Sequence, residues 1–303
     1  MSAPDILVAG SANMDLVVFV GRLPAPGETL LGGDFQSFAG GKGANQAVAV
    51  ARAGGKVAFL GRVGNDIFGA RLRKGLEDNR VDTHLLGEVD GASGVAIIMS
   101  GGGNNMIVVA SGANDAVTAD VIDAGAFKGI RFVLAQLETP LAGVIEIARQ
   151  ARAVGATFIL DPAPARDLPR ELLAMVDWLT PNESEACGLL GIKSLGDPAQ
   201  MARQLKALGP RGVILKMGGQ GAVLLGDDDV PVVIPAHKVV VADTTAAGDA
   251  FNGAFAVALS EGQPPDEAVR FAMVAAAISV TRQGAQPAMA SRAEIDAMMV
   301  GHR

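Results

Sequence analysis

The stretch Asp243-Thr-Thr-Ala-Ala-Gly-Asp249-Ala-Phe-Asn-Gly-Ala254 sets two carboxylates and a turn of small residues at the mouth of an apolar run. Residues 250–259 are nearly all apolar or small, which predicts a buried helix. The amides of its first turn have no partners inside the helix and point back into Ala246-Ala247-Gly248. Such a terminus attracts anions. The small residues let a phosphate approach the backbone. Asp249, with no basic residue near it in sequence, suits a general base that takes a proton from a hydroxyl. The stretch therefore predicts a phosphoryl-transfer centre. A competing reading makes Asp249 a plain helix cap, and this stretch alone leaves that open.

The chain of 303 residues is half hydrophobic, enough for a substantial core. Its net charge is −7, without a Lys/Arg run or a basic strip interleaved with aromatics, which argues against nucleic acid as a partner and for a small solute. A single cysteine, Cys187, rules out an internal disulfide and a cysteine-rich metal site, and reads as a core residue. The start Met-Ser-Ala-Pro-Asp lacks a basic segment followed by an apolar one, and the apolar run 271–280 is too short for a bilayer. A cytoplasmic protein with no membrane partner is expected. The 39 glycines cluster in turns beside apolar runs, as tight loops around a ligand require.

Along the chain, Ile6–Ala9 reads as a buried strand that ends in Gly10-Ser-Ala-Asn13-Met-Asp15. Segments 16–20 and 29–38 read as extended, separated by the turn Pro24-Ala-Pro-Gly27. A helix opens at 40–46 and runs to about 53, followed by a strand at 57–60 and a helix at 68–79. Arms at 94–100 and Asn104–Ala110 form a hairpin around Gly101-Gly-Gly103 and complete a β-flap, discontinuous in sequence, from about 15–38 and 93–111. Strands follow at 132–137, Thr157–Leu160, Trp178–Leu179 and 213–216, with helices at 141–154 and 170–176 between them, which implies parallel pairing. A hairpin of Ala222–Leu225 and 230–234 leads to the central motif, and helices fill 250–261, 265–281 and 293–299. No linker divides the chain, so one α/β domain over 1–303 is expected, three-layered, with a mostly parallel sheet and a small β-lid.

Gly40-Gly-Lys-Gly43-Ala-Asn45-Gln46 invites a P-loop label, but Gln36 stands where its first glycine is needed and Gly43 where Ser or Thr is needed. A dinucleotide fingerprint fails as well, because its third glycine position holds Gln46. The cluster instead suits backbone amides, the Lys42 head and the Asn45 amide converging on a polyhydroxylated ligand. His84, His237 and His302 lie at no metal-ligand spacing and read as surface or structural, while the methionines read as core filler.

Gly40 to Ala47 with Gly54, Gly61 and Gly64 resembles the first signature of the ribokinase-like (PfkB) carbohydrate kinases, and residues 243–254 resemble the second. Similarity extends through Gly112-Ala-Asn114, Gln136-Leu-Glu138, Asp161-Pro-Ala-Pro164, Thr180-Pro-Asn182-Glu-Ser-Glu185 and Gly284-Ala-Gln-Pro287, and covers essentially the whole chain. The resemblance implies an ATP-dependent sugar kinase acting on the 5-hydroxyl of D-ribose. Asp249 would be the base, and the amides of Ala247, Gly248 and Asp249 the anion hole. It implies sugar binding by Asn13, Asp15, Gly41, Lys42, Gly43, Ala44, Asn45 and Glu138, besides Asp249. Phosphates and a water-bound Mg²⁺ would be oriented by Asn182 and Glu185. The nucleotide would lie on Lys216-Met217-Gly218-Gly219-Gln220-Gly221 and Gly248, with Met273 beside the adenine. Lys216 and Gln220 stand where the family often has Thr and Arg, and Met273 where it has His or Asn. A K⁺ site is implied at Asp243 and backbone oxygens near Thr245, Ser279, Arg282 and Gly284, with Ala288 in place of a serine ligand. A homodimer through the β-lid is implied too. Other acceptors (2-deoxyribose, a ketose such as fructose, a nucleoside) and a non-catalytic sugar sensor stay open, while a dehydrogenase already lacks its fingerprint.

Overall fold

The computed structural model describes residues 3–102 and 104–300, so Met1, Ser2, the hairpin glycine Gly103 and His302 fall outside it. In chain order the elements are β1 (Ile6–Ala9), β2 (Asn13–Phe19), β3 (Phe35–Gly40), α1 (Lys42–Arg52), β4 (Val57–Gly64), α2 (Ile67–Asp78), β5 (Leu86–Val89), β6 (Gly94–Gly101), β7 (Asn104–Ala110) and β8 (Phe132–Ala135). Then come α3 (Leu141–Ala153), β9 (Thr157–Leu160), α4 (Arg170–Leu173), β10 (Trp178–Leu179), α5 (Glu183–Leu190), α6 (Pro198–Lys206), β11 (Gly212–Lys216), β12 (Ala222–Leu225), β13 (Val232–Ile234), α7 (Ala247–Ser260), α8 (Pro265–Ser279) and α9 (Arg292–Val300).

The large sheet has the order β13-β12-β11-β10-β9-β8-β1-β4-β5. From β5 to β11 all neighbours pair in parallel, and β12 and β13 close the far edge as the antiparallel hairpin expected from the sequence. Alternate residues of each strand face opposite cores. In β1, Ile6 and Val8 join Phe59, Phe251 and Phe255 on the α1/α7/α8 side, whereas Leu7 and Ala9 join Ile147, Phe158 and Leu205 on the α3/α6 side. Burying each of these large side chains stabilises the fold by roughly 2 kcal/mol. A three-layer α/β/α architecture follows. The central position of β1, with Ile6 paired to both Val57 and Phe132, puts its C-terminal turn in the middle of the sheet's ligand-binding edge.

A second sheet, β3-β2-β6-β7, rises from that edge. Asn13 pairs with Gly40 and Gly94 at its base, and Asp15 pairs with Phe38 and Ala96. Its β7 strand is exposed along its length, including Met106, Ile107, Val108 and Val109.

Several boundaries differ from the sequence expectation. Segment 29–38 is extended in β3 only from Phe35, and the helix expected over 170–176 is a single turn, Arg170–Leu173. β4 runs four residues beyond 57–60, because past Leu60 it pairs with β5, a short edge strand the sequence reading passed over. Helices α5 and α6 were missed as well, although each carries a start signal: Asn182 caps α5, and Asp197 with Pro198 opens α6. Cys187 is half-buried at the margin of the second core rather than inside it. Among the described residues no helix is long and apolar enough to cross a membrane.

Candidate active site

Strand β3 delivers the chain into α1 through glycines that no other residue can replace. Gly41, the N-cap, has φ 88°, and a Cβ there would lie 2.7 Å from the Asn13 nitrogen. A Cβ on Gly43 would lie 2.6 Å from the Ser11 nitrogen, and one on Gly40 would overlap the Asp15 carboxylate. The close approach brings α1 onto the β1–β2 turn. Lys42 N donates to Glu138 Oε2 (3.1 Å), Gly43 N to Ser11 Oγ (3.3 Å) and Ala44 N to the Ser11 carbonyl (2.8 Å), while Ser11 Oγ donates to Glu138 Oε2. Buried Asn13 accepts from Asn114 Nδ2 at 2.7 Å.

At α7 the finish is different. Ala246 is the N-cap in the left-handed region (φ 57°), and no side chain caps the helix. The Ala247 amide reaches back to the Thr244 carbonyl at 3.3 Å. The Asp249 carboxylate, 4% exposed, turns inward, accepting Asn45 Nδ2 at 3.0 Å and Gln46 Nε2 at 3.1 Å. It does not cap its helix, which removes the competing reading. Burial pushes its pKa up, the Lys42 ammonium opposes and Asp161 adds to the rise, so the carboxyl titrates near 6. Burial, with Glu138 and Asp249 adding to it, likewise pushes Asp15 up to about 7. At Lys42, burial alone would lower the pKa, but the carboxylates of Asp249, Asp161, Glu138 and Glu185 outweigh it and raise it. The Lys42 cation is thus fixed among four acids. Asn45 Oδ1 is a buried acceptor without a partner among the described residues, which fits a ligand hydroxyl beside Asp249.

A cleft of about 850 Å³ opens from Lys42 and Asp249. Its walls include Asp161, Asn182, Glu185, Lys216, Gly218, Gly219, Gly221, Ala247, Gly248 and Met273. Two nucleotide candidates do not line it: Met217 is packed into the second core, and Gln220 stands outside. His237, read from sequence as surface or structural, does line it. Asn182 and Glu185 form a reciprocal capping box, with Asn182 Oδ1 accepting Glu185 N at 2.8 Å and Glu185 Oε2 accepting Asn182 N at 2.7 Å. Glu185 is nonetheless buried on the cleft wall, its pKa raised by burial and by Asp161, with Lys216 opposing.

Comparison with known proteins bears on this geometry. Residues 3–292 match the model of the pfkB family carbohydrate kinases. The chain belongs to that family. It is 41% identical to a ribokinase of Bacillus subtilis over 298 residues, covering 97% of this chain and 99% of the relative. Among solved structures, a ribokinase of Arabidopsis thaliana complexed with ribose and ATP superposes with a TM-score of 0.92 at 34% identity, covering 98% of this chain and 99% of that one. A ribokinase of Thermotoga maritima superposes with a TM-score of 0.90 at 38% identity, covering 97% and 99%.

In this pfkB-family chain the Asp243 carboxylate links two of the segments expected to lend backbone oxygens to a K⁺ site. Asp243 Oδ1 accepts both the amide (2.9 Å) and the hydroxyl (2.6 Å) of Thr245, and Oδ2 accepts Gly284 N at 2.9 Å. Burial works against its ionisation, but those three donors hold its pKa below the ordinary value. Arg282 turns away to Glu294, the Ser279 hydroxyl bonds the Ala276 carbonyl at 2.8 Å, and buried Ala288 offers no side-chain oxygen.

Four residues quoted above only as parts of motifs prove to organise the site. Gln46 Nε2 bridges Asp249 and Asp161 (3.0 Å to the latter), and its Oε1 accepts Gln136 Nε2 at 2.7 Å. Asp161 pairs with Lys216 at 3.1 Å, and Ser11 holds Glu138. Their signal was position: Ser11, Gln136 and Asp161 each follow the C-terminal end of a buried parallel strand.

Proposed function

We propose that the protein transfers the γ-phosphoryl group of ATP to the 5-hydroxyl of D-ribose, giving D-ribose 5-phosphate and ADP. The observation that carries this reading is the Asp249 carboxylate, aimed away from solvent and held by two amides at the open N-terminus of α7. The ribose- and ATP-bound Arabidopsis relative, of the same fold, supports the choice of both substrates.

Asp15, Asn13, Asn45 and Glu138, with Lys42 and the Gly41–Ala44 backbone, hold the sugar so that its 5-hydroxyl meets Asp249, which takes the proton as the oxygen attacks phosphorus. The amides of Ala247, Gly248 and Asp249 and the Lys42 charge meet the negative oxygens of the transferring group. Nucleotide lies along Lys216, Gly218, Gly219, Gly221 and Met273. Mg²⁺ fits the all-oxygen donors Glu185 and Asn182 through water, since no group of three or more metal-ligating acids, His or Cys is present among the described residues. When bound, it neutralises phosphate charge. The depressed Asp243 carboxylate joining two loops is the matching feature for K⁺, with Thr245 beside it. The small sheet acts as a lid that closes on the sugar, and its exposed apolar β7 strand serves as a homodimer surface in a cytoplasmic enzyme.

A coupled ADP-release assay with Mg-ATP tests the reading, comparing D-ribose, 2-deoxyribose, fructose and adenosine with and without K⁺. Ribose should give the highest kcat/KM, and K⁺ should stimulate. A higher kcat/KM for another acceptor replaces the substrate while keeping Asp249 as base; tight sugar binding with zero turnover on every acceptor would replace the enzyme by a sensor.

A further inference from the structure

We propose that Lys216 is a second catalytic cation for this reaction, paired with Asp161 on the cleft wall and turning its ammonium onto the transferring phosphoryl group of ATP. The inference rests on the phosphate pocket lying at the start of α7.

Lys216 ends β11, and its backbone is fixed on both sides of that strand: its amide donates to the Pro181 carbonyl at 2.9 Å on one side, and it pairs with Ala222 of β12 on the other. Only its side chain has freedom. That side chain is 13% exposed and its Nζ lies 3.1 Å from Asp161 Oδ1, an acid that is itself 3% exposed. The same Nζ lies 3.3 Å from the place a Cβ would take on Gly248. The ammonium therefore stands over the first turn of α7, where an anion would meet the open amides. An ammonium has three donors, so one can stay on Asp161 while others reach phosphate oxygens. The four-carbon stem moves easily, but Asp161 does not, because its Oδ2 is held by Gln46 Nε2 at 3.0 Å. Lys216 thus has a resting counterion that stays in place after it leaves.

In the transfer the proton of the 5-hydroxyl passes to Asp249, the O5–Pγ bond forms, and the bond from Pγ to the bridging oxygen breaks, its electron pair leaving on the β-phosphate of ADP. Lys216 takes no part in the proton transfer and supplies charge where oxygens gain it. Lys42 lines the same cleft beside Asp249. Lys216 approaches from the side of the nucleotide loop, so the transferring group lies between two ammonium ions.

The test compares Lys216→Met, Lys216→Gln and Lys216→Arg with the unaltered protein, reading kcat, both KM values, and the affinities for ATP, ADP and AMP by calorimetry. Lys216→Met should lower kcat by about 100-fold with the KM for ribose changed less than about threefold. ATP and ADP affinities should fall while AMP affinity holds, and Lys216→Arg should restore most of kcat. Lys216→Gln keeps a hydrogen bond to Asp161 and is read in place of Lys216→Met if that variant does not fold. A folded variant with kcat within threefold of the parent overturns the proposal, and so does an equal loss of ATP and AMP affinity, which marks a merely structural lysine. If the unaltered protein phosphorylates none of the acceptors, the functional reading fails instead, and the ATP-against-AMP difference still decides the place of Lys216.

Discussion

The first turns of α1 and α7 meet at Asp249, and both helices begin on a residue in the left-handed region with no side-chain cap. Their backbone amides nevertheless have different fates. At α1 the protein fills them itself: Glu138 and Ser11 take the Lys42, Gly43 and Ala44 amides. At α7 only Ala247 has a backbone partner outside the helix among the described residues, and that bond is long at 3.3 Å. Equal macrodipoles therefore serve unequal ends. A filled terminus is scaffold, rigid enough to present Asn45 and Gln46 to the base. An open one, walled by Lys42 and Lys216, is kept for an anion the protein does not supply.

The largest test of this difference is Asp249→Asn, which leaves both termini intact and removes only the proton acceptor. Turnover should fall by about 1,000-fold or more, while ribose and ATP still raise the thermal midpoint. Turnover within tenfold of the parent would mean that the α7 terminus works without this base.

Acid pH should do reversibly what that substitution does permanently. Asp249 must be ionised to accept a proton, so kcat/KM should drop about tenfold per pH unit below about pH 6, with burial and Asp161 favouring protonation and Lys42 opposing it. A profile flat down to pH 4.5 would contradict it. Stability runs the other way. Asp15, with a folded pKa of about 7 against the ordinary 3.8, binds its proton more tightly in the folded state, so its charged form opposes folding as pH rises through that window. Asp15→Asn should flatten the decline in thermal midpoint between pH 5 and 8 in the absence of sugar.

Ser11→Ala attacks the filled terminus. It strips a partner from the Gly43 amide and from Glu138 in a part-buried setting, a loss of about 1–3 kcal/mol that should lower the midpoint by several degrees. The KM for sugar should rise, and that for ATP should not. If the ATP value rises instead, the two termini are not divided between sugar and phosphate.

How far the sequence reaches follows the same division. The α7 motif was legible because one contiguous stretch holds turn, acid and apolar helix, and the parallel sheet because Ile6–Ala9, Thr157–Leu160 and their neighbours are short apolar runs between helical periods. The β4–β5 extension was not, since Leu86–Val89 is a four-residue edge strand with a charged residue in it, visible only through its pairing. Gln46, Asp161 and Lys216 stand far apart in sequence, and their link is made by side chains across three elements. Asn182 and Glu185 show a different limit: the resemblance put both at the phosphates, yet the capping box they form at the start of α5 was not read from their spacing.

The smallest effect expected is at the N-cap of α7. Ala246 sits at φ 57°, a region that costs a residue with a Cβ about 1 kcal/mol, and Ala246→Gly removes that cost. The same change gives the unfolded chain more freedom, which costs folding roughly 0.5–1 kcal/mol, so the midpoint should move by no more than a degree or two. Gly41→Ala is the mirror experiment, and there nothing cancels. Its φ is 88° and its new Cβ meets the Asn13 nitrogen at 2.7 Å and the Ala12 Cα at 2.9 Å, so the helix must move away from the β1–β2 turn and take Asn45 with it. A small shift for Ala246→Gly beside a large loss for Gly41→Ala is the result that a roomy α7 terminus and a crowded α1 terminus require. Equal losses would place protein atoms against both caps and leave no reserved space for phosphate at either.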